Sequence, residues 1–281
     1  MMTPVSPTLR FEKALYRDGV TSIVAVDEVG RGALAGPVAV GMVVIDTAVK
    51  RIPPGLRDSK LLPEPVRESL DPLCRKWAMH HAVGLASAAE VDSLGIMRCL
   101  GLAGARALAQ LEEQGAMVHE STLILDGNYD YLNPALMRPA KVVTRIKADR
   151  DCASVAAASV IAKVHRDRMM IAHDLDYPGY GWASNKGYSS TEHFAAIAEL
   201  GPSALHRLTW LKQPALVDIP DCREPFTGRP LSTGSRGPTR ARLIRHRLGG
   251  RWMKTSSTTT TARSSWLCIA STGTSFRSSS T

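Results

Sequence analysis

Four carboxylates stand where runs of apolar, β-branched residues stop. Asp27 and Glu28 close the run 22–27 (SIVAVD and its next residue), Asp126 closes 122–126 (TLILD), and Asp149 follows 142–146 within KADRD. Functional groups in open α/β sheets gather just beyond strand ends. Acids crowded into one cleft repel unless hard cations sit between them, and a donor set made only of oxygen favours Mg²⁺ or Mn²⁺ over zinc. Two such ions, about 4 Å apart, can activate a water and stabilise the leaving oxygen of a phosphodiester. Singly, each acid could as well cap a helix or begin a turn; four at strand ends, two beside glycines, favour the metal reading. Adjacent strand residues point to opposite faces, so Asp27 and Glu28 cannot share a site on a regular strand. Gly30 and Gly32 make a kink or bulge the expected remedy.

The elements that would carry these acids follow from periodicity and punctuation. Strands are expected at 22–27, 38–45, within 79–86, at 122–126 and at 142–146. Helices are expected at 65–73, at 88–113 in two pieces broken by Gly95 and Gly101, at 152–175, at 190–200 and at 202–211. Residues 47–60, with Pro53, Pro54 and Gly55, read as a loop, and residues 1–20 as a short arm in which Phe11, Ala14 and Leu15 suggest one or two amphipathic helical turns. Strands first, then strands alternating with helices, indicate an α/β or α+β domain.

The 281 residues carry a net charge of +9, which invites a nucleic-acid partner. That charge is unevenly placed. Residues 1–224 hold 25 Lys+Arg and all 26 acids, whereas 225–281 hold ten basic residues and no acid. Residues 255–281 include 17 Ser or Thr, too little apolar material to offset the entropy of ordering. Residues 216–281 therefore read as a disordered, basic, low-complexity tail, either an arm that binds nucleic acid electrostatically or a frame-shifted end. No apolar run approaches the roughly 20 residues that span a bilayer, and the first residues lack a secretory apolar stretch. Five cysteines without a CxxC pair argue against a disulfide framework or a zinc site, so a cytoplasmic protein with no membrane partner is expected.

Five blocks in order then carry a resemblance: DEVGRGALAGPV (27–38), DSK (58–60), LDG (125–127), KADRDCASVAAASVIAKVHRDR (147–168) and NKGYSSTEH (185–193), with HR at His206 and Arg207 closing the set. They resemble ribonuclease HII, the prokaryotic type 2 ribonuclease H, across about residues 20–212. The resemblance implies a ribonuclease H-like fold over 21–215, a five-stranded mixed sheet flanked by helices with a small C-terminal helical region. It implies endonucleolytic hydrolysis of the RNA strand of RNA–DNA hybrids, and incision 5′ to a single ribonucleotide in duplex DNA, leaving 3′-hydroxyl and 5′-phosphate ends. By motif the ligands for two Mn²⁺ or Mg²⁺ ions are Asp27, Glu28, Asp126 and Asp149. Asp149 is preferred to Asp151 because the family's acid follows a Lys-Gly or Lys-Ala pair, and Asp58 and Asp130 close no strand. A monomer acting on hybrid and ribonucleotide-containing DNA is expected. Ribonuclease HIII shares parts of these blocks but would need an additional N-terminal domain, and a non-catalytic hybrid-binding module would have no use for four acids.

Finding one ribose in DNA means sensing a 2′-hydroxyl. Gly30, Arg31 and Gly32 suit this, because absent side chains let backbone groups approach a sugar, and the family's GRG segment is implied to do so. Arg31 could contact phosphate or brace the loop. Tyr188 resembles the family's tyrosine that packs on the sugar at the RNA–DNA junction, with a loop anchor as the alternative. Ser159, Lys163 and Arg166 share one helix face that could hold phosphates, although Lys163 and Asp167 also make an i, i+4 pair. Ser59 and Lys60 of the DSK block are further substrate candidates. Ser190 stands where a threonine is expected, which weakens a phosphate contact there. Tyr180, Trp182 and the histidines 165, 173 and 193 read as structural.

Overall fold

A computed structural model describes residues 6–49 and 51–211; the basic tail and the expected boundary at 215 lie outside them. Five strands form one mixed sheet: β1 (Ser22–Val29), β2 (Val38–Asp46), β3 (His80–Ala86), β4 (Thr122–Asp126) and β5 (Lys141–Arg145), ordered β3-β2-β1-β4-β5. The pairs β3–β2 and β2–β1 are antiparallel, whereas β1–β4 and β4–β5 are parallel. All five expected strands form, and the expected α/β class with a five-stranded mixed sheet stands.

Alternation along β1 divides the core into two layers. Val24 and Val26 face a layer with Met42, Leu123, Leu125 and α4 (Ile96–Glu113). Ile23 and Ala25 face a layer with Ile124 and the 24-residue α6 (Ala153–Asp176). The alanines of α6 bring it close against the sheet. A Cβ on Gly41, which pairs with Asp27 in β2, would lie 2.7 Å from both the Ala158 carbonyl and the Ala162 Cβ, so glycine is required there.

Several boundaries move for identifiable reasons. β1 runs on to Val29, and α2 (Glu64–Trp77) extends past residue 73. The stretch 88–113 breaks only at Gly95, φ +80°, into α3 (Ala88–Leu94) and α4. Gly101 stays helical because its bare Cα lets the Tyr131 carbonyl approach, a Cβ there lying 2.6 Å from that oxygen. The helix expected at 202–211 is reduced to a 3₁₀ turn at Leu208–Trp210. Its backbone bonds go instead to the 34–36 segment, Arg207 N–H donating to Leu34 and Gly36 N–H to Leu205, while Asp92 accepts from the N–H groups of Leu208 and Thr209.

The N-terminal arm is also part of the packed fold. Residues Arg10–Arg17 form α1, and Thr8 bridges Cys152. Glu12 is fully buried, and its Oε1 accepts from the Ser154 amide at 3.0 Å and the Ser154 hydroxyl at 2.7 Å. Burial raises the Glu12 pKa, opposed by those bonds, and its service at the start of α6 is as an acceptor for Ser154. Glu12→Ala leaves the Ser154 groups unpaired and should cost about 1–3 kcal/mol in urea unfolding. Glu12→Gln, which keeps an acceptor, should stay within about 1 kcal/mol of wild type. Equal losses from the two would show that charge, not acceptance, is what Ser154 needs.

Candidate active site

The site forms where strands of unequal reach end. Parallel pairing of β1 with β4 stops at Val26–Leu125, but antiparallel pairing with β2 continues through Val29–Ala39. Asp27 and Glu28 therefore flank an open notch where β4 closes with Asp126. Of the kink or bulge that Gly30 and Gly32 allow, the register of β1 holds no bulge, and the chain turns after the strand at Gly30, φ +81°. Asp27 takes the α6 side and Glu28 the α4 side, and both come within electrostatic reach of Asp126 because the site lies off the end of the sheet rather than on one face.

Asp149 arrives on a short helical turn, α5 (Ala148–Asp151), entered through Lys147 in the left-handed region at φ 61°. The Asp126 Oδ1 accepts from the Ala148 N–H at 2.7 Å, so one acid places the turn that carries the next. Asp149 is buried, whereas Asp151 turns away to ion pairs with Arg145 and Arg150. Asp58 accepts from the Lys60 amide and caps the turn bearing Ser59 and Lys60; Asp130 accepts from the amides of Leu132 and Asn133.

The electrostatics report an excess of negative charge. Burial and the neighbouring Glu28 hold the Asp27 carboxyl well above its usual range. Burial raises Glu28 against the opposing pull of Arg31, and burial with Asp149 raises Asp126. Lys60 answers this: burial works against its charge, but Asp27 and Asp149 outweigh burial and raise its pKa, and its Nζ lies 3.3 Å from Asp149 Oδ2. Among the described residues no three His, Cys, Asp or Glu side chains are grouped closely enough to hold a cation as they stand. The donors nonetheless fit a hard divalent ion in chemistry, being all oxygen and mutually repelling. Asp27, Glu28, Asp126 and Asp149 are the residues that would hold such ions, with Lys60 beside them on one oxygen of Asp149.

Beside the acids, a cleft of about 250 Å³ is lined by Glu28, Val29, Gly30, Arg31, Gly32, Ser59, Lys60, Lys163 and Tyr188. The seven residues expected to meet substrate thus line one cavity with one of the acids. Wider hollows of about 520 and 590 Å³ lie along α1 and carry Arg10 and Lys13 but no carboxylate. Ser59 Oγ lies 2.7 Å from Ser159 Oγ, and Ser159 bonds Asp27. Lys163 is bonded to both Asp167 oxygens, at 2.5 and 2.7 Å, in a pair that is largely buried rather than on a solvated face, and its Nζ stands 5.6 Å from the Tyr188 ring. The Tyr188 hydroxyl accepts from the Gly30 N–H at 3.1 Å. Arg31 is exposed and pairs with Glu28 at 3.5 Å.

Arg166 corrects the phosphate-binding stripe. It is fully buried, and its guanidinium donates to the carbonyls of Ala35, Pro37 and Lys186, each at 2.9 Å. Ser190 is likewise a structural residue, its hydroxyl accepting from the His193 amide at the start of α8 (Thr191–Leu200). Behind Tyr188 lies a buried chain of rings. Ser203 N–H donates to His206 Nδ1, leaving His206 Nε2–H to donate to His193 Nε2, which also accepts from Trp182 Nε1–H. His193 Nδ1–H must then donate to the Tyr188 carbonyl. In this placement the single lone pair of His193 Nε2 is shared between two donors, and the bond from His193 Nδ1–H fixes the tyrosine's backbone.

The fold is that of solved type 2 and type 3 ribonuclease H structures. The ribonuclease H2 of Pyrococcus horikoshii OT3 superposes with a TM-score of 0.51 at 26% identity, over 67% of this chain and 93% of that one. Bst-RNase HIII, solved in complex with Mn²⁺, shares the fold at a TM-score of 0.53 and 22% identity, over 70% of this chain and 69% of that one. Sequence then separates the relatives. The profile described as Ribonuclease HII matches residues 24–213, and the ribonuclease HII of Streptomyces griseus is 47% identical over 214 residues, 75% of this chain and 86% of that protein. The chain belongs to the ribonuclease HII family, a family of nucleases. Among the described residues no helix is long and apolar enough to cross a membrane.

The acid cluster makes stability depend on pH in a stated direction. Asp27, Glu28 and Asp126 have folded pKa values above their unfolded ones, so the cluster favours folding below the unfolded carboxylate pKa, near 4, and loses that contribution as pH rises through the folded values. In EDTA at pH 7.5, Asp27→Asn should raise the Tm by about 2–4 °C, a gain that shrinks toward pH 4. Mn²⁺ should raise the Tm of wild type and leave that of Asp27→Asn little changed. A variant that melts below wild type at pH 7.5 would show that the acids are not in net repulsion.

Proposed function

We propose that this protein hydrolyses the RNA strand of RNA–DNA hybrids and cuts duplex DNA on the 5′ side of a single embedded ribonucleotide, leaving 3′-hydroxyl and 5′-phosphate ends and so beginning ribonucleotide removal. The observation that carries this reading is the cleft in which Gly30, Arg31, Gly32, Ser59, Lys60, Lys163 and Tyr188 meet Glu28 at the acid cluster. Two Mg²⁺ or Mn²⁺ ions held by Asp27, Glu28, Asp126 and Asp149 would supply water activation and charge stabilisation at the scissile phosphate.

The chain's own residues do the rest. Lys60 and Lys163 bring positive charge to a cleft whose acids would otherwise repel a polyanion. Ser159 orients Asp27 and is itself bonded by Ser59, which links the DSK block to the first ligand. Tyr188, held by Gly30 at its hydroxyl and by His193 at its carbonyl, offers a fixed ring on which a sugar can pack. Gly32 has neither a positive φ nor any protein atom within 4 Å of where a Cβ would sit, so nothing inside the protein demands a glycine. Its bare Cα serves an approach from outside. A non-catalytic hybrid-binding module is the weaker reading, since acids without cations repel phosphate. We place the enzyme in the cytoplasm and read it as a monomer.

A duplex carrying one ribonucleotide should be nicked in Mn²⁺ or Mg²⁺ and left intact in EDTA. Asp27→Asn should be inactive with an unchanged circular dichroism spectrum; an active variant would refute the assignment. The glycines should separate by mechanism. Gly30→Ala, whose Cβ would meet Arg166 Nε at 2.2 Å at a φ of +81°, should lower the Tm. Gly32→Ala should keep the Tm and lose about ten-fold or more in kcat/KM on the single-ribonucleotide duplex, the scale of one transition-state contact.

A further inference from the structure

Arg207 is fully buried and does not line the cleft. Its Nη2 donates to the carbonyls of Gly30, at 2.7 Å, and Gly36, at 3.2 Å, and its Nη1 donates to the carbonyl of Arg31 at 3.0 Å. Arg166 meets the same loop one step along, through Ala35 and Pro37, and ties it to Lys186. Every hydrogen bond made by these two guanidiniums goes to a backbone carbonyl.

Peptide geometry turns that inward grip into an outward display. In a trans peptide the N–H points opposite the preceding C=O, and the chain has no cis bond among the described residues. With the Gly30 and Arg31 carbonyls held by the buried Arg207, the amides of Arg31 and Gly32 point the opposite way, and both residues line the cleft. Among the described residues these two N–H groups donate to no protein atom. Two adjacent unused donors, backed by two buried cations, make a site for an oxygen acceptor.

We propose that Arg207, seconded by Arg166, is the positioning residue for sugar recognition: by holding the carbonyls of Gly30 and Arg31 it aims the Arg31 and Gly32 amides at the ribose of the substrate. This rests on the function proposed above and extends it to a residue that does not touch substrate. Arg207 stands 176 residues from Arg31, next to His206, so its anchorage is shared with the ring chain that holds Tyr188. One short segment thereby sets both the loop and the aromatic ring that face the sugar.

The test separates geometry from charge by Arg207→Lys, which keeps one positive charge but cannot serve three carbonyls through a planar fork. Binding is measured on the full chain in Ca²⁺, with a duplex holding one ribonucleotide and an otherwise identical all-DNA duplex. Wild type should prefer the ribonucleotide duplex; absence of any preference overturns the functional reading itself. Given that preference, Arg207→Lys should reduce it by about ten-fold, as expected for misplacing a hydrogen-bonded contact, and Arg166→Lys should reduce it less. A folded Arg207→Lys protein with the wild-type preference overturns the positioning role. Should Arg207→Lys melt below the assay temperature, wild type still decides. The guanidinium N–H resonances of Arg207 should shift in NMR when the ribonucleotide duplex binds and stay in place with the all-DNA duplex, and identical responses to both would refute the proposal.

Discussion

Everything at the site depends on β1 staying paired with β2 for three residues after its pairing with β4 has ended. A strand flanked on both sides would bury Asp27 and Glu28 in opposite layers, where neither charge could be met. With β4 gone, the sheet has a notch at that point, and the two acids need only reach past its end. Asp126 is available there because it is the residue at which β4 stops, and its bond to the Ala148 amide draws in the turn that bears Asp149. The unequal strand lengths thus assemble the acids without a bulge.

That assembly is electrostatically costly, and the surroundings answer it in two ways. Nearby, Lys60, Ser159 and Arg31 meet the carboxylates directly. Further off, α6 is pressed on the sheet by its alanines opposite Gly41, so the helix that carries Ser159 and Lys163 cannot retreat from the charge. Its start is held in turn by Glu12 of the N-terminal helix. Two buried arginines then fix the loop across the cleft. Burial with the neighbouring Arg166 lowers the Arg207 pKa to about 10, still well above neutrality, so its positive charge is retained.

Much of this was legible in the chain. Apolar runs that stop in acids marked β1 and β4, and the ordered blocks marked the family. Where reading failed, the missing information was a distant partner. Residues 202–211 have the composition of a helix, but Gly36, Leu34 and Asp92 take their hydrogen bonds. Arg166 sits on a helix face with Ser159 and Lys163 and looked like a phosphate ligand, because nothing local tells a buried face from a wet one. The helical turns of the N-terminal arm are readable from its apolar spacing, but Glu12 has no visible reason for burial until Ser154 lies beside it.

Local chemistry is carried by residue type, and the sequence by itself determined which groups are present: four carboxylates at strand ends, a glycine pair around Arg31, two lysines, a tyrosine. Which of them face one another is a property of chain reversal. Contacts such as Gly30 with Tyr188, or Arg31 with Arg207, join residues more than 150 positions apart, and no periodicity encodes them. Only the tertiary structure decided that the notch replaces a bulge, that Arg166 and Arg207 point inward at carbonyls, and that the amides of two cleft-lining residues are therefore left pointing the opposite way.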